Sequence, residues 1–311
     1  MIPAYNAGPY IDQAVNCILD QTYSNIEILV ADDCSTDDTK ARLDALAAKH
    51  ERVTCYHNSE NLGYLKTCNK LKSKTKGDYI SFQDSDDYST TDRFEKLMRF
   101  MNENPNIDMV GSNYTKVLET GEEIWTSEHQ NNHDGVWGLM PKQFMFCGAT
   151  FMFKRAVYDY VGGYHEYFDR VGAEDFYWLY LIMEKFKIHI IEDSLYFYRF
   201  NPNSVSSTIE NKKKLFSVDL VRFLIRQREE TGTDALERQA EEELEKEISR
   251  LNLPYEKDKL LFKKRLVKRN FWNGNYGKGM KLAFGVLIRN PFQSKEFYKD
   301  LYIYLPKWIR G

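Results

Sequence analysis

The chain has 311 residues, of which 42% are hydrophobic, 29% charged and 14% aromatic, and a net charge of −3 at neutral pH. That length holds one domain of about 200–250 residues plus an appendage, and the balance is that of a globular protein, not of a disordered or fibrous one. No run of about 18 apolar residues occurs, no secretory leader is read at the start, and no nucleic-acid partner is expected. Five scattered cysteines without a CxxC pair (Cys17, Cys34, Cys55, Cys68 and Cys147) favour reduced thiols in a cytosolic protein over a disulfide framework.

The chain opens directly on Met1-Ile2-Pro3-Ala4-Tyr5-Asn6, as though a first strand had been clipped. Ile26–Ala31, Val53–His57 and Tyr79–Gln83 read as short strands rich in β-branched and aromatic residues. Between them Tyr10–Asp20, Asp37–Lys49 and Leu65–Lys74 carry apolar residues at helical spacing. Ser35 or Thr36 suits the cap of the second helix, with Asp37 and Asp38 where the helix dipole favours anions. Strand, helix, strand in this rhythm predicts right-handed crossovers and a mostly parallel sheet covered by helices. Past Asp92 the rhythm loosens. A helix over Asp92–Asn104 stops before Pro105, and Ile107–Gly111 is a further strand. Residues 112–148 are polar and without a clear period. Phe151–Phe153, a helix over Ala156–Val161 and a helical stretch Glu174–Lys187 lead to strands at Ile188–Glu192 and Leu195–Phe200. From Asn211 onward the pattern is helical and charged, with breaks near Gly232, Pro254, Gly274–Gly279 and Pro291.

Charge is unevenly spread. Residues 255–311 hold 14 Lys and Arg against 4 Asp and Glu, a net of +10, which leaves −13 for the rest. A basic tail on an acidic body suits attraction to an anionic surface, and a solvated basic helix bundle has the same composition. Within it, Lys278–Arg289 is expected to turn Met280, Leu282, Ala283, Val286 and Leu287 to one side. That face suits a bilayer interface, the catalytic domain or a second subunit.

Ligands of open α/β sheets bind beyond the carboxyl ends of the strands, and three polar clusters fall at such ends. These are Tyr5-Asn6, Asp32-Asp33 and Asp84-Ser85-Asp86-Asp87. Carboxylates at the density of the third repel one another, and a hard divalent cation with oxygen ligands is the usual relief. A solvated turn capping the next helix is the plainer alternative. Asp33 can accept the N3–H of a uracil or serve as loop and cap chemistry. Glu174-Asp175 opens a helix behind Arg170–Ala173; it fits a helix cap or a general base. His129 and His133, in the polar stretch with Trp125 and Trp137, fit surface positions better than metal ligands.

These motifs in this order resemble glycosyltransferase family 2, the inverting group with the GT-A fold. The resemblance runs over about residues 1–208. It comprises Ile2–Asn6, Gln21–Asn25, Asp32–Thr39, Asn61-Leu62-Gly63, Gly77–Asp87, Gly162-Gly163-Tyr164 and Glu174-Asp175. It implies an α/β GT-A (Rossmann-like) fold, with a mixed, mostly parallel sheet flanked by helices. A nucleotide-sugar half of about 1–111, an acceptor half of about 112–208 and a helical, basic extension over 209–311 would follow. By this resemblance Pro3, Tyr5 and Asp33 hold the nucleoside, with Asp33 on the base. Ala4, Asn6, Asp32, Asn61, Gly63, Lys66, Asp84, Ser85 and Arg199 complete the donor site, although Arg199 equally suits pairing with a surface carboxylate. Asp86, assisted by Asp84, would hold Mn²⁺ or Mg²⁺, and Asp175, with Glu174 beside it, would be the catalytic base.

Two departures qualify the match. Thr67-Cys68-Asn69 stands where many relatives have Ala-Arg-Asn, so an arginine near the donor is missing, and Lys66 is an imperfect substitute. The QxxRW motif of processive synthases is absent, which favours single additions. The implied reaction is a displacement with inversion, from a nucleotide diphosphate sugar (UDP-linked by first expectation) to an acceptor hydroxyl on a glycan or lipid-linked molecule. A cytoplasmic enzyme, or one peripheral on the inner face of a membrane through residues 255–311, fits this reading. A catalytically impaired nucleotide-sugar binder and a nucleotidyltransferase are the alternatives. The second lacks the Gly-rich phosphate loop it would need after the first strand.

Overall fold

The computed structural model describes residues 1–129, 132–140, 147–201, 213–272 and 275–304. Two compact units divide the chain, Met1–Phe200 and Asn201–Gly311.

The first unit begins as the alternating pattern predicts. Strands β1 (Ile2–Ala4), β2 (Ile28–Asp32) and β3 (Val53–His57) alternate with helices α1 (Ile11–Leu19), α2 (Thr39–Lys49) and α3 (Tyr64–Lys72). The three strands pair in parallel with β2 in the middle, Ile2 opposite Val30 and Val30 opposite Cys55. All five residues of β2 are buried, which is why its apolar run is continuous where a half-exposed strand would alternate. Helix α1 buries Ile11, Ala14, Val15, Ile18 and Leu19, one stripe at helical spacing. That stripe shares a core with Ile2, Val30, Leu43 and Leu97.

The second half of this unit follows a different order. Strand β4 (Tyr79–Ser81) and the short β5 (Tyr88–Ser89) flank the acidic loop, and α4 (Arg93–Glu103) follows. Next come β6 (Met109–Val117), β7 (Glu123–Thr126) and α5 (His133–Leu139), then β8 (Met152–Lys154), α6 (Arg155–Val161), α7 (Glu174–Met183) and β9 (Ile188–Arg199). Among the described residues the second sheet runs β4-β8-β6-β9-β5, with β7 on β6. Only β6 and β9 run parallel there; β4–β8, β6–β8, β5–β9 and β6–β7 are antiparallel. Parallel pairing is thus concentrated in the first three strands of a mixed α/β fold. The Gln83 N–H donates to the Met1 carbonyl at 3.0 Å, linking the end of β4 to the start of β1.

Several boundaries differ from the sequence reading. The strand expected at Ile107–Gly111 continues to Val117, and part of the stretch without a period becomes β7 and α5. Residues 130–131 and 141–146 of that stretch lie outside the described residues. The two strands expected around Asp193 are one, because register shifts between Ser112 and Tyr114 absorb the irregularity. Neither Ser35 nor Thr36 caps α2. Asp38 stands at the cap, and Asp37 accepts the Thr39 N–H at 3.0 Å.

The second unit consists of helices α8 (Lys213–Thr231), α9 (Glu241–Lys257), α10 (Leu261–Trp272), α11 (Tyr276–Arg289) and α12 (Lys295–Tyr304). Pro254 sits inside α9 and does not break it. Val267 and Phe271 of α10, Ala283 and Val286 of α11 and Phe297 of α12 form its core. A Cβ at Gly279 would lie 2.7 Å from Phe271 Cε1, so the missing side chain lets α11 approach α10.

Candidate active site

The loops after β1 and β2 are laced together. Asp33 N–H donates to the Ala4 carbonyl at 2.8 Å. Asn6, at φ 49°, donates from its backbone to Ser35 Oγ at 2.9 Å and accepts the Thr36 N–H at 2.8 Å. Pro3 and Ala4 are buried in the strand, while Tyr5 is half exposed at the crevice edge. Burial works against ionisation of Asp37, but bonds from the Thr39 hydroxyl and the Thr39 and Gly8 N–H groups outweigh it and hold the carboxyl below its ordinary value.

Asp32 and Asp33 are both buried and have different duties. Asp32 accepts the Ser35 N–H at 3.2 Å. Asp33 Oδ1 accepts from Asn58 Nδ2 at 2.7 Å and the Leu62 N–H at 2.9 Å, and its Oδ2 accepts the Gly63 N–H at 2.8 Å. Asp33 therefore fixes Asn61-Leu62-Gly63, the loop that opens α3. Gly63 makes the turn at φ 88°. A carboxylate offers about four lone-pair positions, so three bonds leave Oδ2 capacity for a further donor.

The acidic loop after β4 rests on two buried arginines and a tyrosine. The Arg93 guanidinium is fully buried and donates to Gln83 Oε1 at 3.2 Å, Ser89 Oγ at 3.0 Å and the Phe82 carbonyl at 3.2 Å. The Tyr196 hydroxyl accepts the Asp84 N–H at 3.1 Å and donates to Asp87 at 2.9 Å. Arg199 donates its N–H to Asp87 at 2.7 Å and its Nε to the Asp86 carbonyl at 2.8 Å. Its remaining nitrogens reach the Glu119 carbonyl at 3.1 Å and Gln13 at 2.6 Å. Arg199 is thus a buried tie beneath the loop, and these bonds go to carbonyls and an amide where the sequence suggested a surface carboxylate.

The carboxylates above this platform face one another. Burial, then the charge of Asp86, pushes Asp84 up to about 7, although the Tyr64 hydroxyl donates to it at 3.3 Å. Asp87 is raised by burial and then by Asp86 and Asp84. Asp175 rises to about 8 through burial, then Glu174 and, less strongly, Asp84; its Oδ1 accepts the N–H of Phe176 at 2.8 Å. Asp175 and Glu174 open α7 behind a turn in which Arg170, Gly172 and Ala173 all have positive φ. A cavity beside Asp175 is lined by Gly148, Phe151, Tyr164, Trp178 and Leu179. Asp33, through Gly63 and Tyr64, and Asp84, Asp86, Glu174 and Asp175, through their mutual charges, therefore share one crevice.

The donor set suits a divalent cation of a particular kind. Asp87 is engaged by Tyr196 and Arg199, and no cluster of three His, Cys, Asp or Glu ligands occurs among the described residues. Asp84 and Asp86 remain, an acid pair whose mutual repulsion a cation would relieve. Mg²⁺-like ions bind through one or two carboxylates plus substrate phosphates and water, so two carboxylates are enough.

Several residues near the crevice escaped the sequence reading. Arg170 Nη2 lies 3.3 Å from both the carbonyl and Oδ1 of Asn61. Lys66 Nζ lies 3.3 Å from Asp169. Two cations thus border the first turn of α3. Asn69 brackets Tyr164, donating to its carbonyl at 2.7 Å and accepting its N–H at 2.8 Å. A Cβ at Gly163 would strike Asn69 Oδ1 at 2.4 Å. Lys72 Nζ is buried 3.4 Å from the Tyr164 ring centroid, 4.2 Å from that of Trp178 and 5.0 Å from that of Phe82. Burial lowers it to about 7, against the charges of Cys68 and Glu174. The residues flanking the recognised motifs were the available signal: Tyr64 follows Gly63, and Arg93 follows the acidic loop at a helix start. His129 and His133 are half-buried, not surface residues; His133 stacks on Trp137 with centroids 6.1 Å apart.

A mixed sheet with helices on its flanks and acidic strand ends meeting in one crevice defines a GT-A fold. The likeness extends to solved structures. The 1–349 fragment of S. aureus TarS, in complex with UDP-GlcNAc, matches with a TM-score of 0.61 at 18% identity, over 88% of this chain and 79% of that one. The mannosyltransferase PcManGT from Pyrobaculum calidifontis, in complex with GDP-Man and Mn²⁺, matches with a TM-score of 0.55 at 17% identity, over 96% and 76%. In sequence, glycosyltransferase GlyG of Streptococcus pneumoniae serotype 4 is 32% identical over 225 residues, 67% of this chain and 72% of that protein. The family described as Glycosyl transferase family 2 matches residues 1–162. The chain belongs to glycosyltransferase family 2.

Proposed function

We propose that this protein is an inverting glycosyltransferase. It moves a hexosyl or N-acetylhexosaminyl group from a UDP-sugar to an acceptor hydroxyl, one sugar at a time, in the assembly of a bacterial-type polysaccharide, glycan or glycolipid. The observation that carries the reading is Asp175. It is half-buried at the start of α7, raised to about 8, and within electrostatic reach of Asp84. A carboxylate with a raised pKa is a stronger proton acceptor at neutral pH. Asp175 takes the acceptor proton while the hydroxyl oxygen attacks the anomeric carbon. No covalent intermediate is required, so the configuration inverts.

The other residues bind and orient the donor. Asp33 accepts from the base with the capacity left on Oδ2, and Pro3, Ala4, Tyr5, Asn6 and Asp32 shape the nucleoside site. Asn61 and Gly63 lead the diphosphate to the first turn of α3, where Lys66 and Arg170 supply positive charge. Arg199 acts through the Asp86 backbone, and Ser85 spaces the two acids. Asp86 and Asp84 would hold Mn²⁺ or Mg²⁺, which when bound neutralises charge developing on the leaving diphosphate. The catalytic domain is placed at 1–208, with the donor half over about 1–111 and the acceptor half over about 112–208. The extension over 209–311 makes peripheral contact with a membrane from the cytoplasmic side. Among the described residues no helix is long and apolar enough to cross one.

The test is Asp175→Asn. It should keep UDP-sugar affinity within a few-fold, measured by titration calorimetry with Mn²⁺, and lose about 10²–10⁴-fold in transfer, measured by product analysis. Turnover that survives while donor affinity collapses removes Asp175 from the base role.

A further inference from the structure

The exposed face of α11 is not the one its sequence suggested. Ala283 and Val286 are buried against α10 and α12, and Leu282 and Leu287 pack against the same core. Met280, expected on that face, is exposed. It belongs to a second apolar row with Tyr276, Phe284, Ile288 and Phe292, all exposed and each four residues from the next. Phe284 is 67% exposed, Ile288 66% and Phe292 90%. A helix apolar on two faces needs a second partner beyond its own core.

The surrounding charge identifies the partner. Between Asp258 and Glu296 the sequence contains no carboxylate side chain, against ten Lys and Arg. Lys278, Lys281 and Arg289 are exposed along the same helix, and Lys295 and Lys299 are exposed on α12. Tyr298 and Tyr302 add exposed rings there. A second copy of the chain is a poor match, because a two-fold contact would set this face against itself and oppose like charges. An aromatic and aliphatic row edged by lysine and arginine suits an interface of acyl chains and anionic head groups.

We propose that Tyr276, Met280, Phe284, Ile288 and Phe292 form a membrane-docking face that inserts shallowly into a bilayer rich in anionic lipid. It rests on the peripheral contact in the proposed function and names the surface and the lipid charge. Docking there would keep the enzyme at a surface where lipid-linked acceptors are found.

The full chain is sedimented with vesicles of phosphatidylglycerol and phosphatidylcholine, and with phosphatidylcholine alone. Binding to the anionic vesicles is expected, and it should weaken as salt rises. The triple variant F284S/I288S/F292S should lose at least about tenfold in partitioning. The variant K278E/K281E/R289E should lose the preference for anionic lipid. Both should retain the circular dichroism of the parent and its transfer rate to a soluble acceptor, which separates failure of docking from failure of the transferase reading. Equal pelleting of parent and triple variant overturns the proposal. So does a parent that ignores anionic vesicles, or a concentration-dependent dimer that the triple variant abolishes.

Discussion

Buried carboxylates are handled in opposite ways on the two sides of the crevice. On the β2 side, Asp33 accepts three N–H donors and Asp37 is held below its ordinary value by hydroxyl and amide bonds. On the β4 side, Asp84 and Asp175 are pushed up to about 7 and about 8, each by burial and then by a neighbouring acid. The first arrangement satisfies its charge within the protein, so its product is a fixed loop. The second leaves charge unsatisfied, and that is a capacity to take up a cation or a proton. Rigidity and reactivity are divided between two strand ends of one site.

The sharpest attack on this contrast is Asp86→Asn. If the β4 side exists to hold a cation, the substitution and removal of metal by a chelator should each cost about 10²–10³-fold in turnover, and they should not add. Measuring nucleotide diphosphate release with Mn²⁺ restored after chelation checks this. Additive losses would mean that Asp86 and the cation act separately. Asp33→Ala attacks the other side. It strands Asn58 and the Leu62 and Gly63 N–H groups, so a stability loss of about 2–3 kcal/mol is expected by denaturant titration. A loss of donor affinity without a loss of stability would show that Asp33 serves only the ligand.

A pH series sharpens the comparison. Carboxyls whose folded values are raised contribute stability that is fully present below their unfolded values near 4 and is lost as pH rises through about 7 to 8. The metal-free protein should therefore melt at lower temperature at pH 7 than at pH 5, and Mn²⁺ should recover part of the difference. Lys72 has the opposite sign. Its value is lowered to about 7, so its burial is costly while it is charged, and stability returns as pH climbs from about 7 towards its unfolded value. Lys72→Met should remove that alkaline recovery and leave the acid-side slope unchanged, as read from melting temperatures across the range. The smallest expected effect belongs to Arg170→Ala. It should raise the KM for donor by about tenfold or less with little change in kcat, since the guanidinium contributes one charged contact at the edge of the crevice.

Much of this was legible in the sequence where the signal was local. The strand-helix alternation of the first hundred residues, the acidic ends of β2 and β4, and the Glu174-Asp175 helix start all appear as short patterns of residue type. The strand path through residues 109–126 was not, because β6 and β7 are set by pairing with β8, β9 and each other, and polar strands such as Glu123–Thr126 carry no hydrophobic period. Arg199 was legible as important but not in its role: only the fold brings Gln13 and Glu119 to its guanidinium, from 186 and 80 residues away.

The sequence by itself determined which chemistry is available, namely clustered carboxylates beyond apolar strands, a basic tail and a family pattern, because these depend on residue type and spacing. Only the tertiary structure decided how that chemistry is divided. Whether a carboxylate meets amide hydrogens, as Asp33 does, or another carboxylate, as Asp84 does, depends on long-range packing. The same holds for which of two apolar faces of α11 is covered, since a helix repeats its period on every side and its neighbours choose the side that is buried.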